Sequence, residues 1–317
     1  MRRIFITLMA MVFTTVLPHT AFAKKITLIL DWYVNPDHGS LIIAKQNGYF
    51  QQYGLDVDIL EPADPTEPPK LTAVKKADYA INYQHILQIQ ASEGWPNTRV
   101  ATVISSPLTS LVVLKDSGIT SPADLKGKTI GYSLPGFEDA ILGTMLNTHG
   151  VDISQVKLVN VNWALTQSLI TKKVDAVIGA YRNFERHQLN IEGYEATLFF
   201  PEQNGVPTFD ELVMITHKDN AKSETTKNMV RALERATRFM KNYPEKSWEI
   251  FKAYKPDALN TELNHRAWFD TLRRFASAPG ALDYERHLNM AQFLEDKKLV
   301  NTPVPDISKY AVDPFQP

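Results

Sequence analysis

Aromatic residues recur at one kind of place in this sequence, just past short apolar runs. Trp32 and Tyr33 follow residues 26–30, Tyr83 follows residues 79–82, Tyr132 closes residues 129–132, and Tyr181 follows residues 174–178 with Glu185 four positions on. Ligands of open α/β sheets sit beyond the carboxyl ends of the strands. Flat side chains at those ends can clamp a planar ring, and a carboxylate beside them can accept hydrogen bonds from an exocyclic amine or a protonated ring nitrogen. Any one of these aromatics reads equally well as a packing residue, but four at corresponding strand ends point to a site. Asn35 and His38, in the polar loop 31–38, and Ser106, between two strand-like runs, complete the candidate ligand-binding set.

Catalysis finds less support. The chain carries no G-x-S-x-G, H-E-x-x-H, phosphate-loop or G-x-G-x-x-G motif. Histidines 38, 85, 149, 187, 217, 265 and 287 show no metal-ligand spacing. No catalytic residue, metal ligand or cofactor is therefore assigned. The acid pairs Glu138-Asp139 and Asp210-Glu211 read as a helix N-terminus and a solvated loop. Arg182 reads as a rim charge, and as the anchor only if the ligand were a small anion.

The elements that position these residues alternate strand and helix. Residues 26–30 are apolar on both parities, the pattern of a buried parallel strand. A helix fits 39–47, a second strand 55–60, a proline-rich loop 62–69, a short helix 70–76 and a third strand 79–82. Strand-like 100–104 and 111–114 flank Ser105-Ser-Pro-Leu-Thr-Ser110, a segment suited to crossing between lobes. The pattern then restarts, with a capped short helix at Ser121-Pro-Ala-Asp124, strands 129–132, 156–161 and 174–178, and helices 138–148 and 165–172. Strand 212–216 reads as the return crossing, and helices over 223–242, 244–254, 261–276 and 283–296 finish the chain. This alternation predicts an α/β fold with parallel sheets, hinged near 106–110 and 207–212.

The 317 residues are 44% apolar and 22% charged, with 34 basic against 35 acidic side chains and no cysteine. A near-zero net charge gives no field for holding a polyanion, so nucleic acid is not an expected partner. The lack of cysteine excludes disulfides, thiolate metal sites and a lipid-modified N-terminal cysteine. Arg2 and Arg3, the apolar run 4–17 and Ala21-Phe22-Ala23 have the form of a secretory signal, cleaved after Ala23. The expected product is soluble, and the simplest destination is a bacterial periplasm.

Several stretches make a family resemblance specific. Leu30-Asp-Trp-Tyr-Val-Asn-Pro-Asp-His38, Lys45-Gln-Asn-Gly-Tyr-Phe50, Glu61-Pro-Ala-Asp-Pro65, Lys76-Ala-Asp-Tyr-Ala80 and Val174-Asp-Ala-Val-Ile-Gly179 resemble the thiamine-pyrimidine branch of the periplasmic binding proteins. That branch is related to sulfonate-binding proteins and to the fungal enzymes that make the thiamine pyrimidine. The resemblance implies a type II periplasmic binding protein, with two α/β lobes joined by two chain crossings: lobe 1 from 24–108 and 208–317, lobe 2 from 109–207. It implies a monomer that carries N-formyl-4-amino-5-aminomethyl-2-methylpyrimidine or hydroxymethylpyrimidine to an ABC permease in the inner membrane. A binder of sulfonates or other small anions, and a synthase of the pyrimidine, are the alternatives. The fungal synthases consume a histidine of their own and carry a cysteine-rich motif. This chain has no cysteine, and His85 falls one position short of the donor histidine, so His85 reads as a helix-start or pocket residue.

Overall fold

The computed structural model describes residues 23–136 and 138–316. Apart from Ala23, the signal segment expected over 1–23 lies outside the described residues.

Ten strands form two five-stranded sheets among these residues. The first contains β1 (Lys24–Ile29), β2 (Leu55–Leu60), β3 (Tyr79–Asn82), β4 (Asn97–Ile104) and β10 (Leu212–His217), ordered β2-β1-β3-β10-β4. The second contains β5 (Thr109–Leu114), β6 (Thr129–Tyr132), β7 (Lys157–Asn160), β8 (Ala176–Tyr181) and β9 (Ala196–Phe199), ordered β7-β6-β8-β5-β9. Strands β1, β2 and β3 pair in parallel, with Ile26 beside Val57 and Leu28 beside Tyr79. Strand β10 runs antiparallel between β3 and β4, and β5 runs antiparallel between β8 and β9. The sheets are therefore mixed rather than parallel throughout. A fully buried strand is apolar on both faces whichever way it runs, so residue pattern alone does not distinguish the two directions.

The helices follow in chain order: α1 (Gly39–Gln46), α2 (Tyr49–Gln52), α3 (Pro68–Ala73), α4 (Gln84–Ser92), α5 (Gly143–Thr148), α6 (Leu165–Ile170), α7 (Glu185–Ile191), α8 (Glu224–Asn242), α9 (Pro244–Lys252), α10 (Pro256–Leu259), α11 (Glu262–Thr271) and α12 (Tyr284–Asp296). The helix expected over 138–148 opens with a π-helical turn, Glu138–Leu142, before α5. In α8, the Ser223 hydroxyl accepts from Thr226 N at 3.1 Å and Glu224 opposes the positive end of the dipole. Its buried stripe of Met229, Val230, Leu233, Ala236 and Met240 packs on α1. Contact is close because α1 starts at a glycine: a Cβ at Gly39 would sit 2.8 Å from the Trp268 ring and 2.9 Å from Met240.

The chain passes between sheets twice, from β4 to β5 and from β9 to β10. Glu211 ties the crossings together. Its carboxylate, at the foot of β10, accepts from Thr109 N at 2.8 Å, Thr109 Oγ1 at 2.7 Å and Leu108 N at 2.5 Å. Arg182 braces the same point, donating to the carbonyls of Leu108 at 3.3 Å and Thr109 at 3.1 Å while paired with Glu202. Asp210 holds Thr102 Oγ1 at 2.7 Å and pairs with Arg286. Asp210 and Glu211 are both buried, which corrects their reading as a solvated loop. Backbone amides and basic side chains that meet only in the folded chain replace the water they lose.

Candidate functional site

The two sheets point strand ends at one another across a hollow of about 460 Å³, counting its open mouth. From the first sheet come Asp31 and Trp32, after β1, and Tyr83, after β3. From the second come Ser133 and Leu134, after β6, Ile178, Gly179 and Tyr181 of β8, Leu165 of α6, and Glu185, the first residue of α7. Strand ends supply the positions because the backbone leaves the sheet there, freeing side chains that would otherwise pack into it.

Asp31 is fixed from both sides. Its Oδ2 accepts from the Tyr83 hydroxyl at 2.8 Å, and its Oδ1 lies 2.9 Å from His38 Nε2. The backbone N–H of Asn35 donates to His38 Nδ1 at 3.2 Å. That bond places the ring hydrogen on Nε2, where it points at Asp31. Asn35 meanwhile caps the turn Pro36–His38, its Oδ1 accepting from Asp37 N at 2.8 Å. On the opposite wall, Glu185 Oε2 accepts from Tyr181 N at 2.6 Å, and burial pushes the Glu185 carboxyl up to about 7. A carboxyl at that value holds or releases its proton near neutrality, so it can donate to a ring nitrogen or accept from an amine.

The lobes touch beyond the hollow as well. Trp163, in the loop after β7, sits edge-on to Trp32 with ring centroids 4.2 Å apart, and 4.6 Å from Tyr33. Asn183, just before α7, donates from Nδ2 to Asp37 Oδ1 and lies equally close, at 2.7 Å, to Thr271 Oγ1 of α11. Arg186 and His187 of α7 reach Asp270 of α11 at 3.2 and 3.4 Å. Hydrogen bonding from His187 and the surrounding arginines hold the Asp270 carboxyl at about 2. The first turn of α7 thus faces the hollow with Glu185 and grips the other lobe with its next two residues.

Buried acids give the fold an unusual pH response. Burial pushes Asp37 up to about 6 and Glu211 up to about 7, alongside Glu185. Each holds a proton in the folded chain that the unfolded chain has released, so its contribution is complete in acid and fades as pH rises to the folded value. His85 and His287, driven down to about 3 by burial, act oppositely as pH falls below 6.5. The two sets oppose each other most strongly between about pH 4.5 and 6.5, and above that the acids Glu185 and Glu211 outweigh the fading histidine contribution. Stability should fall by about 1–2 kcal/mol between pH 6.5 and 8, read as a Tm lower by a few degrees in thermal unfolding. A flat or rising Tm over that interval would contradict the assignment.

Of the residues expected from sequence to bind ligand, Trp32, Tyr83, Tyr181 and Glu185 line the hollow together. Asn35 and His38 stand behind Asp31 and position it. Ser106 lies in the first crossing, and Tyr132 packs against the core at the end of β6; neither is on the wall. His85, second in α4, is buried edge-on to Phe209 at 5.3 Å, also off the wall. Sequence reasoning missed the wall residues Asp31, Ser133, Leu134, Leu165, Ile178 and Gly179, and the bridging Trp163. The strand-end rule that singled out Trp32 applied equally to Asp31 and to Ser133-Leu134.

Two sheet-based lobes, joined by two crossings and meeting over a hollow at their strand ends, are the architecture of the periplasmic binding proteins. The solved alkanesulfonate-binding protein of Xanthomonas axonopodis pv. citri shares this fold, at a TM-score of 0.73 and 15% identity over 91% of this chain and 98% of that one. The chain belongs to the NMT1/THI5-like family, whose model matches residues 35–247. A Haemophilus influenzae protein whose name assigns it to thiamine biosynthesis is 50% identical over 92% of this chain and 93% of its own length. The formylaminopyrimidine-binding protein of Halalkalibacterium halodurans is 40% identical over 62% of this chain and 59% of its own. More distantly, the 4-amino-5-hydroxymethyl-2-methylpyrimidine phosphate synthase of Legionella pneumophila is 26% identical over 92% of this chain and 98% of its own.

Proposed function

We propose that the chain is a periplasmic solute-binding protein that closes over a thiamine pyrimidine precursor, the N-formyl-aminomethyl or hydroxymethyl aminopyrimidine, and presents it to an ABC permease. The observation that carries this reading is the charge of the wall: its described residues include two carboxyl groups, Asp31 and Glu185, and no lysine, arginine or histidine. A sulfonate needs cationic or N–H donors, and Arg182, the candidate for that role, is committed to Glu202 and the crossing carbonyls. An aminopyrimidine is flat and offers a donor and an acceptor on one edge, which suits aromatic faces with a carboxyl between them.

Binding draws on both lobes, since Trp32 and Tyr83 belong to one and Tyr181 and Glu185 to the other. A ligand touching both favours the closed arrangement, and closure is the state a permease can recognise. No helix among the described residues is long and apolar enough to cross a membrane. A synthase reading would need a reactive histidine on the wall, and His85 is buried away from it.

Calorimetry decides between ligand classes. The N-formyl aminopyrimidine should bind at micromolar Kd or tighter, about −8 kcal/mol or better, while short alkanesulfonates give no saturable heat. Sulfonate binding without pyrimidine binding would overturn the proposal.

A further inference from the structure

Three of the last four residues of β8, Ile178, Gly179 and Tyr181, line the hollow. Successive side chains of a regular strand point to opposite faces, so Ile178 and Tyr181, an odd step apart, should not share one. The first half of β8 obeys the rule. Ala176 and Ile178 join the larger core, opposite Val113 and Leu111 of β5, while Val177 and its partner Val112 join the smaller core on the other face. Beyond Gly179 the parity inverts: Ala180 belongs with the smaller core and Tyr181 packs against the larger. The ladder shows why. Ile178 pairs with Leu111 and Ala180 with Ser110, so Gly179 is one residue too many for β5, a bulge in the strand. We propose that Gly179 is a positioning residue for the ligand: its bulge turns Tyr181, and with it Glu185, to the hollow and so gives lobe 2 its ligand-contacting wall. The inference rests on the pyrimidine reading and deepens it, naming what directs two of its contacts.

An unbroken ladder would set Gly179 opposite Ser110 and carry Tyr181 one step on, to Leu108 and the face of Val177. Glycine is required here by the backbone rather than by space. Its φ is +93°, and a Cβ would meet nothing within 4 Å. Such a φ is open to glycine, tolerated by asparagine and strongly disfavoured for β-branched side chains. Beyond the bulge the register is held by Arg182 N, which donates to the Leu108 carbonyl at 2.9 Å. Tyr181 N donates to Glu185 Oε2 at 2.6 Å, so the peptide that the bulge turns also orients the carboxyl. A residue that resists the positive φ must strain this peptide or slip the register, and a slip carries Tyr181 to the opposite face.

Calorimetry with N-formyl-4-amino-5-aminomethyl-2-methylpyrimidine tests three variants. Gly179→Val should weaken binding by at least about thirtyfold. Gly179→Asn, of similar bulk but able to adopt the φ, should stay within about tenfold of the parent. Deleting Gly179 removes the extra residue yet leaves Ala180 opposite Ser110 and Tyr181 opposite Thr109, so the deletion should also stay within about tenfold. Valine and asparagine variants weakened alike would mean that Gly179 only leaves room for the ligand. A valine variant within about threefold of the parent, or a deletion that abolishes binding, would mean that the bulge does not direct Tyr181. Each of these results overturns the proposal. Should the valine variant not fold, the other two decide, either one overturning it by losing binding. Failure of the unmodified protein to bind the compound overturns the pyrimidine reading itself.

Discussion

Glu185→Ala should weaken binding of the N-formyl aminopyrimidine by ~30- to ~1000-fold, because it removes a half-buried charge-assisted partner that the ligand covers and leaves the ligand amine unpaired, a cost of about 2–4 kcal/mol. A companion result concerns protons. The edge of an aminopyrimidine presents one donor and one acceptor, whereas an ionised carboxylate only accepts, so full pairing needs one proton between the two groups. The Glu185 carboxyl, at about 7, supplies that proton below neutrality and has lost it above. Affinity should therefore decline between pH 7 and 9, approaching about tenfold per pH unit. Glu185→Gln carries an amide that always has both a donor and an acceptor, so its affinity should be flat over the same range. An alanine variant within about threefold of the parent, or a flat profile for the parent, would remove Glu185 from the site.

Trp32→Ala is expected to cost the stacking face. Such contacts are worth about 1–3 kcal/mol, or ~5- to ~150-fold in affinity. Trp163→Ala tests a different role, since Trp163 touches Trp32 across the lobes at 4.2 Å but does not line the hollow. Its loss should act through closure alone, by the roughly 0.5–1.5 kcal/mol of an aromatic pair. Faster ligand release and a larger radius in small-angle scattering should accompany it. Equal losses for the two variants would mean that Trp163 contacts ligand directly. A Trp32 loss below about threefold would mean that the ring is not clamped there.

The strands of lobe 1 were legible because helices cover both faces of their sheet, leaving runs such as residues 26–30 apolar on either parity. Helix α4 was not. Its buried face includes Gln84, His85 and Gln88, so no apolar stripe marks it. Those amides are satisfied by distant groups, Gln88 by the His287 carbonyl and the Tyr310 hydroxyl. Asp210 and Glu211 misled for the same reason, since their partners at Thr102, Leu108 and Thr109 lie about a hundred residues away. Within the site, the strand-end rule located the neighbourhood but not the side-chain directions. Tyr132 ends β6 and lies off the wall while Ser133 and Leu134, the next two residues, line it, a difference that depends on where the strand stops. Trp163 follows Asn162, which has a left-handed φ of +51°, and nothing local says that this turn faces the other lobe.

The position of β10 has a consequence for how the molecule is made. Strands β3 and β4 do not pair with each other; each pairs with β10 instead. The polypeptide up to Ile104 therefore has four strands of its first sheet and a gap where the fifth belongs. The second sheet draws only on β5 to β9, one uninterrupted stretch, so it can condense while the first still waits. Domains usually mature in the order in which they emerge from the ribosome, and this connectivity predicts the reverse order. The sequence-distant pairing of β10 also makes completion of the first sheet slow, since a long loop must close before any of its contacts form. Under the proposed export, a polypeptide threaded through a membrane pore must arrive without a finished core, and this connectivity withholds one from the leading lobe until His217 has been made.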